Sequence, residues 1–224
     1  MIRTKPHGKR RDFLGIAATA AAASISAVVP MGGAVAAAAT VDSSTDFERW
    51  LDTIRGTYKQ LYDMPELNEG MGLAWSWAFF ATGAPAYGVP ENDLSVVLVL
   101  RHNSIALALA DPMWAKYRLG EMFRIEDPDT KAPAVRNPYY SKPGALPIPD
   151  ASLQKLIARG VKVAACNLAI TFYSAEVAQN MSLKPEDVKR EWMQAVHPGI
   201  QIVPSGVVAC NGAVSRGCIY IYAG

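Results

Sequence analysis

Short apolar runs alternate with segments of helical apolar spacing along most of this chain. The clearest run is LSVVLVL at residues 94–100, whose continuous apolar character predicts a strand covered on both faces. Shorter runs predict four further strands, at 58–62, 161–165, 200–203 and 218–222. Strands separated by helices imply a parallel sheet with helices on both faces. The expected fold is therefore a three-layer α/β/α sandwich around a five-stranded parallel sheet.

The predicted helices begin and end at recognisable residues. One apolar, aromatic helix is predicted at 70–80, with Pro85 ending it. Asp150 is placed to N-cap another helix that ends at Gly160. The segment 104–119 is predicted to be helical with a break at Asp111-Pro112. Further helices are predicted at 45–56, 168–181, 185–196 and 206–213.

Residues 120–149 differ in kind from the rest of the chain. Six prolines punctuate this stretch, and it has little hydrophobic periodicity. It is predicted to be a long ordered loop or a lid within one domain. Loops of this length are often functional, and the alternative is a passive crossing of the surface.

The N-terminal residues 1–39 are typical of a twin-arginine export signal. The segment RRDFLG at 10–15 precedes an Ala-rich apolar run at 16–29 and a small-residue stretch at 34–39. The alternative is a basic amphipathic helix. A membrane anchor is disfavoured because a span needs about 20 strongly apolar residues. We predict a cleaved signal peptide, export of the folded protein to the periplasm, and a single domain at 40–224.

Removal of the signal changes the charge. Residues 1–39 contribute five Lys or Arg against one Asp, so the formal net charge of +2 becomes −2 for residues 40–224. A near-neutral surface without Lys/Arg runs argues against nucleic acid as a partner. No later segment is apolar and long enough for stable membrane insertion.

Three cysteines remain in the predicted mature chain, namely Cys166, Cys210 and Cys218. An odd number leaves at least one thiol unpaired in a monomer, and pairing of Cys210 with Cys218 stays open because spacing alone does not give the required Cα separation. The spacing matches no zinc pattern, so no metal site is expected. No cofactor is expected either. GMG at 70–72 opens a helix, but the dinucleotide fingerprint fails because Trp75 occupies its third small position.

Six polar side chains follow the second, third and fourth predicted strands, namely Arg101, His102, Asn103, Cys166, Asn167 and Ser205, and the last five form the predicted site. Ligands collect at the carboxyl ends of strands in open α/β sheets, so these residues are the candidate pocket. Ser205 is also placed to N-cap the following helix. His102 could approach Cys166 and help to hold a thiolate, and the alternative is a solvated or backbone-bonded histidine.

Cys166 is the candidate catalytic residue. It lies where strand 161–165 turns into a helix, so the unpaired N–H groups of the helix N-terminus favour its thiolate. A thiolate attacks sulfur or carries a persulfide. The alternative is that Cys166 is a small buried hydrophobic residue.

Three segments in this order resemble the DsrE/DsrF-like family of sulfur-relay proteins: GVKVAACN at 160–167, IVPSGV at 202–207 and GCIYIY at 217–222. The resemblance covers roughly residue 56 to the C-terminus and is strongest after residue 150. It implies a five-stranded parallel sheet in an α/β/α sandwich, and a cysteine after the third strand that passes on sulfane sulfur as a persulfide. The matching position here is Cys166. The resemblance also implies self-association into a homo-oligomer.

The chain departs from that family in its export signal and in the long segment 120–149. Two functions are therefore consistent with the sequence. The first is a periplasmic sulfur carrier or sulfurtransferase-like protein that uses Cys166, with a small sulfur-containing ligand or a partner protein. The second is a non-catalytic ligand-binding or assembly module, in which Cys166 only packs.

Overall fold

The computed structural model describes residues 41–224, within which Ser43–Gly224 form one compact unit. The predicted signal peptide at 1–39 lies outside the described residues. Five strands form a single all-parallel sheet in the order β4-β3-β2-β1-β5. Helices flank this sheet, as expected for an α/β/α sandwich. The strands are β1 Tyr58–Met64, β2 Leu94–Leu100, β3 Lys162–Cys166, β4 Ile200–Val203 and β5 Ile219–Tyr222.

Eight α-helices and three short 3-10 helices lie within residues 41–224. The α-helices are α1 Val41–Leu51, α2 Met71–Tyr87, α3 Asp111–Tyr117, α4 Leu119–Met122, α5 Leu153–Arg159, α6 Asn167–Asn180, α7 Pro185–Gln194 and α8 Gly206–Ser215. The 3-10 helices are Asn68–Gly70, Glu91–Asp93 and His102–Ala108.

Every residue of the central strand β2 is buried, because the sheet is covered on both faces. Val96, Leu98 and Leu100 belong to the larger core, which contains buried residues of α2, α3, α5, α6 and α7. Val97 and Val99 point to the opposite face of the sheet. They belong to the smaller core, which α1 and α8 cover. Each fully buried side chain of this kind contributes about 1.5–3 kcal/mol relative to exposure. The continuous apolar run at 94–100 therefore forms a strand that is covered on both faces, as predicted.

Helix α2 continues past Pro85 to Tyr87, so the predicted end of this helix is wrong. Proline removes one backbone donor, but the helix gains a compensating contact because the Tyr87 ring stacks on Tyr58 at 3.9 Å between centroids. The helix closes at Gly88, whose N–H bonds to the Ala84 carbonyl. Tertiary packing therefore outweighs the local helix-breaking preference.

Ser152, not Asp150, is the N-cap of α5. The Ser152 hydroxyl accepts the Lys155 N–H at 3.4 Å, while the Asp150 carboxylate pairs with Lys155 Nζ at 2.8 Å. Asp150 lies two residues too early because the chain makes a further turn at Ala151, which is fully buried.

The segment predicted as one broken helix at 104–119 consists of a 3-10 helix, α3 and α4. Residues 104–108 are all buried, and α3 begins at the predicted break at Asp111. Arg118, with φ of 52°, separates α3 from α4. The prediction is therefore correct for the break at Asp111, whereas the helix before it is a 3-10 helix and not an α-helix.

The proline-rich segment is ordered and attached to the core through buried hydrogen bonds. The Asn137 side-chain amide donates to the Leu107 and Leu109 carbonyls at 2.8 and 3.2 Å. The Asn137 N–H donates to Asp111 Oδ1 at 2.9 Å. These bonds satisfy backbone carbonyls that the irregular chain leaves unpaired.

The proline-rich segment packs closely against Gly120 in α4. A Cβ atom at Gly120 would lie 2.3 Å from the Ala134 backbone nitrogen and oxygen, whereas one at Gly83 in α2 would lie 3.2 Å from the end of the Leu94 side chain. We expect Gly120→Ala to lower the free energy of unfolding by roughly 2–3 kcal/mol through overpacking.

Gly83→Ala is the matched control, because it is also helical and buried and gains helix propensity. It should change stability by no more than about 1 kcal/mol. Urea denaturation of both variants measures the difference. Equal effects would contradict the tight packing of this segment against α4.

Candidate functional site

Cys166 lies at the junction of β3 and α6, as predicted. It is the N-cap of α6, and its Sγ accepts the Ala169 N–H at 3.3 Å. The residue is 6% exposed and belongs to the larger core. The sulfur therefore receives a backbone donor at the positive end of a helix, which stabilises negative charge on it.

Arg101 is the neighbour of Cys166 across the sheet. Leu100 of β2 pairs with Ala165 of β3, so the next residues, Arg101 and Cys166, occupy adjacent positions on strands about 5 Å apart. Both have extended backbones. Alternation after Val97 and Val99 directs the Arg101 side chain to the face of the sheet that α8 covers.

Asp63 of β1 fixes the Arg101 side chain. Arg101 Nε and Nη2 donate to the two carboxylate oxygens of Asp63 at 2.6 and 2.8 Å, and the Tyr220 hydroxyl donates to Oδ2 at 2.7 Å. Asp63 is only 3% exposed, so its charge depends on these donors. The bidentate geometry holds the guanidinium in one orientation.

The first turn of α8 lies directly against Arg101. A Cβ atom at Gly206 would be 2.6 Å from Arg101 Cδ. Only glycine permits this close approach of the helix backbone to the arginine methylenes. The arginine is thereby enclosed between Asp63 and α8, with its side chain 25% exposed.

Cys210 on α8 faces the same charged pair. Burial, followed by the negative charge of Asp63, raises the pKa of Cys210 to about 12, although Arg101 opposes the shift. Cys166 also contributes to this shift through its charge, which places the two thiols within electrostatic range. Burial raises the pKa of Cys218 to about 11. All three cysteines are free thiols, so Cys210 and Cys218 do not pair.

His102 and Asn103 belong to a separate hydrogen-bond network. Asn103 Nδ2 donates to Glu66 Oε2 at 2.7 Å, and its Oδ1 accepts the Tyr173 hydroxyl at 2.8 Å. His102 Nδ1 contacts the same Tyr173 oxygen. Because the single phenol proton points to Asn103 Oδ1, the Tyr173 oxygen accepts a hydrogen bond from His102 Nδ1–H. Burial, followed by the charge of Glu66, raises the pKa of Tyr173 to about 12.

The other two predicted residues begin helices. Ser205 caps α8, where its Oγ accepts the Val208 N–H at 3.3 Å, as predicted. Asn167 is the first residue of α6, and its Oδ1 atom is buried without a hydrogen-bond partner. The structure therefore separates the predicted pocket into a set at the starts of α6 and α8 and a set around Tyr173.

An open cleft of about 610 Å³ lies beside the second set, between the chain that follows β1 and the proline-rich segment. It is lined by Glu66, Leu67, Asn68, Glu69, Asn103, Phe123, Arg124, Ile125, Glu126, Asp127, Pro128, Lys131, Tyr139 and Ala145. Asn103 is the one predicted pocket residue in this lining. Among residues 41–224, no group of His, Cys, Asp and Glu side chains is arranged to hold a metal ion.

Sequence reasoning missed Asp63, Tyr220 and Cys210 as parts of the site. A signal for Asp63 existed, because a carboxylate in the apolar stretch YDM at a strand end needs a cationic partner when buried. Tyr220 and Cys210 carried no comparable signal. Both reach Asp63 only because the chain crosses from β4 at one edge of the sheet to β5 at the other.

No protein-family model matches the chain, and neither a curated protein nor a solved structure is significantly similar to it. Within the described part, no helix combines the length and the apolar character that crossing a membrane requires. The function must therefore be argued from the residues of the site.

Asp63→Asn should disrupt the charged cluster. It leaves Arg101 without a counter-ion, so we expect the free energy of unfolding to fall by roughly 2–4 kcal/mol. The loss of the Asp63 charge should also lower the pKa of Cys210, and its alkylation by iodoacetamide near pH 9 should therefore become faster.

Asp52→Asn is the matched control, because Asp52 forms an exposed ion pair with Arg216 at 3.1 Å. Its effect on stability should stay below about 1 kcal/mol. Chemical denaturation and peptide-resolved mass spectrometry provide the two measurements. Unchanged Cys210 alkylation in Asp63→Asn would refute the electrostatic coupling.

Proposed function

We propose that this protein is a sulfur carrier, or sulfurtransferase-like protein, in which Cys166 carries sulfane sulfur as a persulfide. The observation that carries the proposal is the position of the Cys166 sulfur. It lies at the N-terminus of α6, accepts a backbone N–H, and neighbours Arg101 in the strand register. The resemblance of the segments around Cys166, Ser205 and Cys218 to sulfur-relay proteins supports the same reaction class.

The proposed reaction is a transfer of sulfane sulfur between thiols. The Cys166 thiolate attacks the outer sulfur of a small persulfide or polysulfide, R–S–SH. The bond between the two donor sulfurs breaks, R–S⁻ leaves with its electron pair, and a Cys166 persulfide forms. A thiolate acceptor then removes the outer sulfur and regenerates the Cys166 thiolate. The cycle needs no external oxidant or reductant.

Cys166 differs from Cys210 and Cys218 because it lies at a helix N-terminus. The backbone N–H groups at the start of α6 are placed to favour negative charge on its sulfur. Cys210, with a pKa of about 12, stays protonated at neutral pH. The Asp63 carboxylate orients Arg101 and, after burial, contributes to the raised pKa of Cys210.

Treatment with polysulfide should add one sulfur atom to Cys166. We expect intact-protein and peptide mass spectrometry to locate the adduct on Cys166 in the wild type, and Cys166→Ser to lack it. Cys210→Ser and Cys218→Ser are matched controls that should keep the adduct. Equal labelling of wild type and Cys166→Ser would refute the sulfur-carrier function.

Cys166→Ala also separates this function from a non-catalytic module of the same fold. Loss of sulfur transfer to an acceptor thiol, with native stability retained, supports the carrier. Retained biological activity in Cys166→Ala would favour the binding or assembly module.

We further propose that the protein reaches the periplasm through the twin-arginine route. The RR pair at 10–11 and the apolar run after it support this location. Replacement of Arg10 and Arg11 by lysine should keep the precursor in the cytoplasm, as measured by cell fractionation. Replacement of Lys5 and Arg3 by glutamine is the control, because it removes charge without changing the pair. Normal export of the Arg10/Arg11 variant would refute the proposed route.

A further inference from the structure

The open cleft beside the proline-rich segment has the volume of a ligand site. Its volume of about 610 Å³ falls in the range of small-molecule pockets. It is bordered by residues 66–69, which follow β1, and by residues 123–145. Cys166 and Arg101 are not part of its lining. A function of this cleft therefore goes beyond sulfur transfer and does not depend on Cys166.

Two of the six charged side chains that line the cleft are already engaged by the protein. Glu66 accepts a hydrogen bond from Asn103 at 2.7 Å. Asp127 accepts the N–H groups of Asp129 and Thr130 at 2.9 and 3.0 Å. These two carboxylates organise the walls of the cleft, and both keep their negative charge because the donors are neutral.

The remaining four charged side chains are two carboxylates, Glu69 and Glu126, and two cations, Arg124 and Lys131. All four are exposed, and in the described part of the chain their side chains form no ion pair or hydrogen bond. Besides the two wall carboxylates, the cleft therefore presents two charges of each sign.

The backbone holds three of these four residues in a left-handed conformation. The φ angles are 54° for Glu69, 53° for Arg124 and 60° for Lys131. Each such residue costs about 1 kcal/mol or more, and such strain persists where the surrounding structure determines it. Arg124 is fixed because the flanking Ile125 N–H bonds to the Gly120 carbonyl at 2.8 Å. The charged side chains are thus carried on a preorganised backbone.

The inner part of the cleft is apolar. Phe123, Ile125 and Tyr139 are buried and belong to the larger core, and Leu67 packs against it. These side chains provide a fixed hydrophobic surface beneath the charged rim. A ligand that fits both features carries an apolar group and separated charges of opposite sign.

We propose that this cleft binds a short zwitterionic peptide that bears an apolar side chain. The carboxylate of the peptide pairs with Arg124 or Lys131, its ammonium group pairs with Glu69 or Glu126, and its side chain contacts Phe123 and Tyr139. Charge-assisted hydrogen bonds at both ends give the orientation, and the apolar contact adds affinity. The volume accommodates a peptide of about two or three residues.

Isothermal titration calorimetry with the dipeptide Gly-Phe tests the proposal directly. The probes are the free zwitterion, its N-acetyl form, its C-terminal amide and the form capped at both ends. We expect the zwitterion to bind, and removal of either charge to weaken binding about tenfold or more. Absence of binding by the zwitterion, or equal binding of the four probes, would overturn the proposal. Preference for a singly charged probe would overturn it too.

Variants locate the binding site. Arg124→Gln and Glu69→Gln should each weaken binding of the zwitterion about tenfold. Arg118→Gln is the matched control, because Arg118 is also an exposed arginine, has φ of 52° and does not line the cleft. Thermal unfolding checks that the variants fold. Native-like variants of Arg124 and Glu69 that bind as well as Arg118→Gln would refute this location.

Discussion

The whole structure depends on the burial of strand β2 on both faces. Seven consecutive buried residues, from Leu94 to Leu100, require apolar cover above and below the sheet. One cover consists of the helices that connect β1, β2, β3 and β4, and the other consists of α1 and α8. The chain completes the second cover only by crossing from β4 at one edge of the sheet to β5 at the other.

This crossing has a direct chemical consequence. It lays α8 over the carboxyl ends of β1 and β2, where Asp63 and Arg101 form their bidentate pair. It also brings Tyr220 of β5 and Cys210 of α8 to the same carboxylate. A buried carboxylate needs several donors, and Asp63 therefore holds Arg101 in one orientation. Burial, with Asp63 second, raises the pKa of Cys210.

The two faces of the sheet carry different polar groups at the same end. On the α8 face, an ion pair and thiols surround the start of α6. Beside the larger core, Tyr173 connects His102 with Asn103, and Asn103 reaches the cleft that the proline-rich segment borders. The groups are separated because the strand ends at Arg101 and the chain then turns into the 3-10 helix that carries His102 and Asn103. The proposed peptide-binding and sulfur-carrying functions therefore occupy different surfaces of one domain.

The sequence by itself determined the parallel sheet, its five strands and the position of Cys166 at a helix start. These features follow from local periodicity and from the residue that succeeds each strand, both of which are properties of short segments. The sequence also predicted a helix cap correctly where one side chain forms it, as at Ser205. It misplaced the end of α2 and the cap of α5, because the stacking of Tyr87 on Tyr58 and the burial of Ala151 are not local properties.

Only the tertiary structure decided which side chains meet. Asp63, Arg101, Cys210 and Tyr220 are separated by up to 157 positions and converge because strand order and register place them together. The same holds for the cleft, whose two walls come from residues 66–69 and 123–145. The local pattern of residues determines where helices and strands form. The pairing of charges depends on long-range packing, which no short segment encodes.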